Sequence, residues 1–137
     1  MFPLRNTKLL VKNVSESVEL SEKAEILLLF GDLSMLQISL IGSILKLEER
    51  KELDFEEIFD CYNRFVRTHC PQIVAPKQSC LHAFNSLKQA HLIVEYMSQN
   101  SPQIKLAVPK YLFLHFLKNT EQPIPEEIKK WCENLLD

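Results

Sequence analysis

Polar side chains between residues 76 and 90 are the first group in this sequence that could perform recognition chemistry. Gln78, His82 and Asn85 follow one another at spacings of four and three residues, which places them on one side of a helix. Amide and imidazole groups both donate and accept hydrogen bonds, so this face could meet base edges or phosphates of a nucleic acid. Two other interpretations stay open, namely a face that only contacts water and a face that docks on another protein.

Charge is segregated along the chain. The 137 residues carry a formal net charge of −2, whereas residues 61–120 carry +6 because seven cations face the single anion Glu95. A basic middle segment favours contact with a polyanion, although a merely solvated basic stretch has the same composition. Lys77 and Lys88 flank the polar face, and we expect them to neutralise phosphates. The segment also supplies peripheral charges, namely Arg64, Arg67 and Lys105.

A zinc site is the first alternative that the residue types suggest. His69, Cys70, Cys80 and His82 lie within fourteen residues. Structural zinc sites use ligand pairs separated by several residues, and the adjacent His69 and Cys70 do not fit that spacing. We therefore predict no metal site, and we expect Cys80 to lie in the core and Cys70 to pack near a helix end.

Catalysis is the second alternative. Gly31 and Gly42 stand alone, so no glycine-rich loop is available to hold a nucleotide phosphate. Nothing marks an oxyanion hole beside a cysteine, and the carboxylates of residues 48–57 flank a helix start, where they stabilise the positive end of its dipole. We expect no enzymatic activity and no cofactor. The N-terminus lacks a secretory signal, and the apolar segment 33–47 is too short to span a bilayer, so we expect no membrane contact.

Caps and periodicity predict the elements that position the polar face. Capping boxes at Ser34/Gln37 and Asp54/Glu57 predict helices over 34–49 and from 54 to before Pro71. A third helix follows over 76–90, and a short helical segment over 20–30 precedes all three. Alternating residues at 92–97 and 104–108 predict two strands that are joined by a six-residue polar tip. Helices over 109–118 and around Ile128–Leu135 complete the chain.

The order of three helices and a hairpin is that of a winged-helix domain, in which the third helix can enter a major groove while the hairpin flanks it. The predicted fold class is mainly α with a small β-hairpin, a winged-helix domain with extra N- and C-terminal helices. Residues 1–20 form an N-terminal extension and residues 21–137 form the domain. We expect Trp131 to close the core, whereas Tyr111, Phe113 and Phe116 are numerous enough for part of their helix to face a partner.

The sequence resembles the C-terminal domain family of origin recognition complex subunit 4. The resemblance covers about residues 21–137 and consists mostly of core and cap positions. It is carried by four stretches: Leu33–Leu36, Asp54–Val66, Ala83–Leu87 with Leu92–Ile93, and Ile124–Trp131.

The resemblance implies a winged-helix domain that follows an ATPase-type AAA+ module in a ring of related subunits around origin DNA. It implies DNA binding and subunit assembly in replication initiation and MCM helicase loading, in the nucleus. The expected partners are double-stranded DNA, other origin recognition complex subunits and helicase-loading factors. The AAA+ module is absent from this sequence, and residues 1–20 could be at most its connection. The alternative is a winged helix used only for protein–protein interaction, without direct DNA contact.

Overall fold

The computed structural model describes residues 20–134, which form six α-helices and one two-stranded antiparallel sheet. The helices are α1 (Leu20–Gly31), α2 (Met35–Leu47), α3 (Phe55–His69), α4 (Lys77–Gln89), α5 (Lys110–Asn119) and α6 (Glu126–Cys132). A 3-10 turn lies at Pro71–Ile73, and the strands are β1 (Ile93–Ser98) and β2 (Ser101–Leu106). The predicted fold class is therefore confirmed: the fold is mainly α with a small hairpin and is winged-helix-like. The predicted extension 1–20 lies, except for Leu20, outside the described residues.

Helix α2 is the centre of the molecule. Every residue from Ile38 to Leu45 is buried, and the helix packs against α3, α4, α6 and β2. The hydroxyl groups of its two buried serines donate hydrogen bonds to carbonyls of the same helix. Ser39 Oγ donates to the Met35 carbonyl at 2.8 Å, and Ser43 Oγ donates to the Ser39 carbonyl at 3.1 Å. A helix that is apolar on all sides is typical of a core. Within residues 20–134 no single helix is long and apolar enough to cross a membrane, and α1 and α2 meet that description only as a pair bent by 118°.

Both predicted capping boxes are present. At the start of α2, the Gln37 N–H donates to Ser34 Oγ at 3.2 Å while the Ser34 N–H donates to Gln37 Oε1 at 3.0 Å. At the start of α3, the Asp54 and Glu57 pair makes the equivalent bonds at 3.0 and 3.2 Å. These bonds satisfy backbone donors that have no partner inside the helix, so they set where α2 and α3 begin.

The hairpin, called the wing below, differs from its prediction in the length of its tip. A six-residue tip is wrong, because Ser98 pairs with Ser101 and only Gln99 and Asn100 form the turn. Both turn residues have positive φ, 53° and 66°, as in the primed turns whose twist matches that of the strands. On the other side of β2, the Leu53 N–H donates to the Pro102 carbonyl at 2.9 Å, which fixes the wing to the loop before α3.

The C-terminal helices complete the core. Phe113 and Phe116 are 0% and 7% exposed and contact the ring of Phe30 at centroid distances of 5.4 and 5.6 Å. These two rings therefore face α1 and not a partner. Tyr111 is exposed, so the prediction that part of this helix faces a partner stays a prediction for Tyr111. Trp131 closes the core as predicted and stacks on Phe65 at 4.0 Å. The last helix ends at Cys132, and the predicted Leu135 lies outside the described residues.

Candidate nucleic-acid interface

The core positions of α4 determine which of its faces reaches solvent. Pro76 precedes the first turn, where its missing N–H costs nothing, and the helix runs to Gln89. Cys80, Phe84 and Leu87 are buried, with the Phe84 ring 5.2 Å from that of Phe55. The side opposite these residues is consequently turned away from the core.

The uncharged candidates lie on this outer side. Gln78, His82 and Asn85 are exposed, and none of their side chains has a hydrogen-bond partner within residues 20–134. Gln78 and His82 line an open cleft of about 400 Å³ whose opposite wall includes Ser34 and Gln37. The capping pattern of Ser34 and Gln37 predicts where a helix begins. It does not indicate that these residues face α4 across the cleft.

Both lysines of α4 are engaged by carboxylates. Lys77 Nζ lies 2.5 Å from Glu56 Oε1 of α3, and Lys88 Nζ lies 2.7 Å from Glu95 Oε1 of β1. The side chains are 51% and 59% exposed in the first pair and 36% and 38% exposed in the second. The positive charge expected on α4 is therefore partly neutralised within the molecule, which the sequence reasoning did not anticipate.

The peripheral cations are distributed over other surfaces. Arg64 lines a second cavity of about 250 Å³ with His69 and Trp131, and no residue of α4 lines this cavity. The Arg67 guanidinium donates to Asn63 Oδ1 at 3.1 Å. Lys105 is exposed on β2 opposite Val94 and forms no ion pair with any residue from 20 to 134. The structure thus does not bring Arg64 into the cleft beside α4.

Apolar side chains are exposed on α4 and on the wing. Leu81 of α4 is 40% exposed, and Met97, near the end of β1, is 66% exposed. Val94 and Tyr96 are also exposed, on the strand that carries Glu95. The alternation of apolar and polar residues predicted this strand correctly, but it could not show that both faces reach solvent in its outer half.

The cysteines are buried or half-buried thiols. Cys80 lies in the core and Cys70 caps the end of α3, as predicted. Burial raises the pKa of both, and it raises the pKa of Cys132 to about 12. These thiols stay protonated at neutral pH, which makes them poor nucleophiles. Within residues 20–134, no three His, Cys, Asp or Glu side chains converge as metal ligands would.

Comparison with known families shows the family of the chain. The family model for the origin recognition complex (ORC) subunit 4 C-terminus matches residues 3–132. The chain belongs to this family. Membership implies a role in DNA replication as an origin recognition complex subunit, with other subunits of that complex as partners. Among curated proteins, none matches the chain.

The matched residues of the origin recognition complex family include the whole candidate interface. Helix α4, the wing and both glutamates that pair with Lys77 and Lys88 lie inside the range 3–132. The match also reaches into the predicted extension 1–20.

Proposed function

We propose that this chain is a DNA-binding and subunit-assembly domain of the nuclear origin recognition complex, acting in replication initiation and MCM helicase loading. The observation that carries the DNA contact is the outer side of α4, where the side chains of Gln78, His82 and Asn85 are exposed and lack hydrogen-bond partners within residues 20–134. In winged-helix and related domains, the equivalent helix enters or borders a DNA groove.

The proposed contacts combine hydrogen bonds with weak electrostatic attraction. Gln78, His82 and Asn85 donate to phosphates or to groove edges. Lys77 and Lys88 neutralise phosphates after leaving their carboxylate partners, and exposed ion pairs of this kind contribute only about 0–1 kcal/mol. Arg64, Arg67 and Lys105 act as peripheral charges. This work is binding rather than catalysis, and it uses no cofactor and no metal.

A fluorescence-anisotropy titration of labelled duplex tests the DNA contact. The combined variant Gln78→Ala/His82→Ala/Asn85→Ala should bind at least about tenfold more weakly than the native chain, since each of three net hydrogen bonds contributes about 0.5–1.5 kcal/mol. Lys118→Ala, which removes an exposed cation from α5, serves as the control and should bind like the native chain. Equal binding by the combined variant would remove α4 from the DNA surface.

The second candidate function is a protein-interaction module that does not contact DNA. It is favoured by the two neutralised lysines and by the exposed Leu81 and Met97. The duplex titration separates the two functions, and affinity purification of the tagged chain from nuclear extract, with and without nuclease, tests the surface used for assembly. In one outcome, other origin recognition complex subunits are recovered with the native chain after nuclease treatment but not with Leu81→Ser/Met97→Ser. That result would assign the surface around Leu81 and Met97 to protein contact. Recovery that the substitutions leave unchanged would place the assembly surface elsewhere.

A further inference from the structure

The lysines at the two ends of α4 are each held by a glutamate from a different element. Lys77, the first residue of α4, pairs with Glu56 of α3, and Lys88, its penultimate residue, pairs with Glu95 of β1. We propose that Glu56 and Glu95 compete with DNA phosphates for these lysines and thereby set both the affinity and the salt dependence of binding. This inference rests on the proposed contact between α4 and DNA.

Glu56 lies in the first turn of α3 but takes no part in the capping box of that helix. The start of α3 is already capped by Asp54 and Glu57, which bond each other's backbone N–H groups. Glu57 also pairs with Arg50 at 3.0 Å. Glu56 points instead to α4, and its ion pair within residues 20–134 is the one with Lys77.

Glu95 is an acidic residue in an otherwise basic segment. It is the single anion among residues 61–120, a segment with seven cations, and it lies 2.7 Å from Lys88. Lys88 Nζ also lies 5.6 Å from the centre of the Phe84 ring, so two neighbours orient the ammonium. The basic character of the segment is therefore reduced at the C-terminal end of α4.

Competition lowers both affinity and salt dependence for a physical reason. A lysine that moves to a phosphate displaces a counterion from the DNA, which normally makes binding weaken as salt rises. The released glutamate then stands near the DNA without its cation, is repelled by the phosphates and takes up a cation from solution. The ion released and the ion taken up offset each other, so a paired lysine adds little to the salt dependence.

The test is an anisotropy titration of labelled duplex over a series of salt concentrations, with the native chain, Glu56→Gln, Glu95→Gln and the double variant. Glutamine keeps the shape of the side chain and removes its charge. Each substitution should tighten binding about two- to fivefold at low salt and steepen the slope of log affinity against log salt by up to about 0.9. Glu25→Gln, an exposed position on α1, makes the same change in net charge and should alter neither quantity.

A second background separates direct competition from a general charge effect. In Lys77→Gln, the further change Glu56→Gln should give no tightening, because no lysine remains to be released. The same gain in that background, or an equal gain from Glu25→Gln, would overturn the inference.

Two further outcomes distinguish this inference from the proposed function. In the first, duplex binding depends on Gln78, His82 and Asn85 but is unchanged by both glutamate substitutions. This result would overturn the inference and leave the proposed function standing. No duplex binding by the native chain or by the double variant would overturn both. Thermal melting of every variant checks that it is folded.

Discussion

At the scale of residues, burial controls the chemistry of the thiols. The Ser43 hydroxyl and nearby cations lower the pKa of the Cys61 thiol, yet burial outweighs both and raises that pKa. Cys132 is more deeply buried, and its pKa rises from the usual 9.0 to about 12. A thiol with a raised pKa is more easily deprotonated in the unfolded chain than in the native one, so it links stability to pH.

We predict that the protein loses stability in alkaline solution through Cys132. The stabilising contribution of the protonated thiol is complete below pH 9.0 and is lost as the pH rises towards about 12. Over that range the unfolded thiol has released its proton while the native one keeps it, so the free energy of unfolding falls by about 1.4 kcal/mol per pH unit for this group. Urea denaturation under reducing conditions measures the slope. Cys132→Ala should make it less steep, and an unchanged slope would contradict the assignment.

Residue types and spacing were sufficient to find the polar side of α4 but not its charge partners. Gln78, His82 and Asn85 follow the helical repeat, and the structure exposes all three. Glu56 and Lys77 are 21 residues apart, and no periodic signal connects two such positions. Pairing of this kind depends on how α3 and α4 cross, which is a tertiary property.

At the scale of elements, local devices were predictable and packing partners were not. The capping boxes act within four residues, so sequence alone located the starts of α2 and α3. Phe113 and Phe116 were misjudged because the number of aromatic residues does not show that α1 will cover them. The wing tip was predicted too long because its polar residues suit both a turn and an exposed strand end.

We predict that Gly42→Ala destabilises the protein by about 1–3 kcal/mol, the usual cost of overpacking a core. A Cβ at this position of α2 would lie 2.8 Å from Cys132 Sγ and 2.9 Å from the Trp131 ring. The ring cannot easily yield, because it stacks on Phe65 at 4.0 Å.

Gly31→Ala is the matched control for the glycine experiment. Its nearest neighbour would be 3.9 Å away, so this substitution at the end of α1 should leave stability unchanged or raise it by up to about 1 kcal/mol. Urea or thermal unfolding measures both variants. Equal stabilities for the two would contradict the close packing of α2 against α6.

At the scale of the whole molecule, acidic and basic segments that are separate in the sequence meet on the folded surface, where some of their charges pair. Residues 32–60 hold three cations and eight anions, and Glu56 of this acidic segment lies against Lys77 of the basic segment 61–120. Family membership could be expected from core and cap residues, since these define the domain. The surface that meets DNA or a subunit depends on exposed side chains, whose pairing only the folded molecule reveals.

The most direct test of DNA binding by α4 is an NMR titration of the nitrogen-15-labelled chain with duplex DNA. If α4 is the DNA-binding surface, the largest amide shift changes occur at Gln78, His82 and Asn85, with smaller changes along the wing. Changes confined to α1 and α5, or no changes at DNA concentrations that saturate an anisotropy titration, would contradict the claim that α4 is the DNA-binding surface.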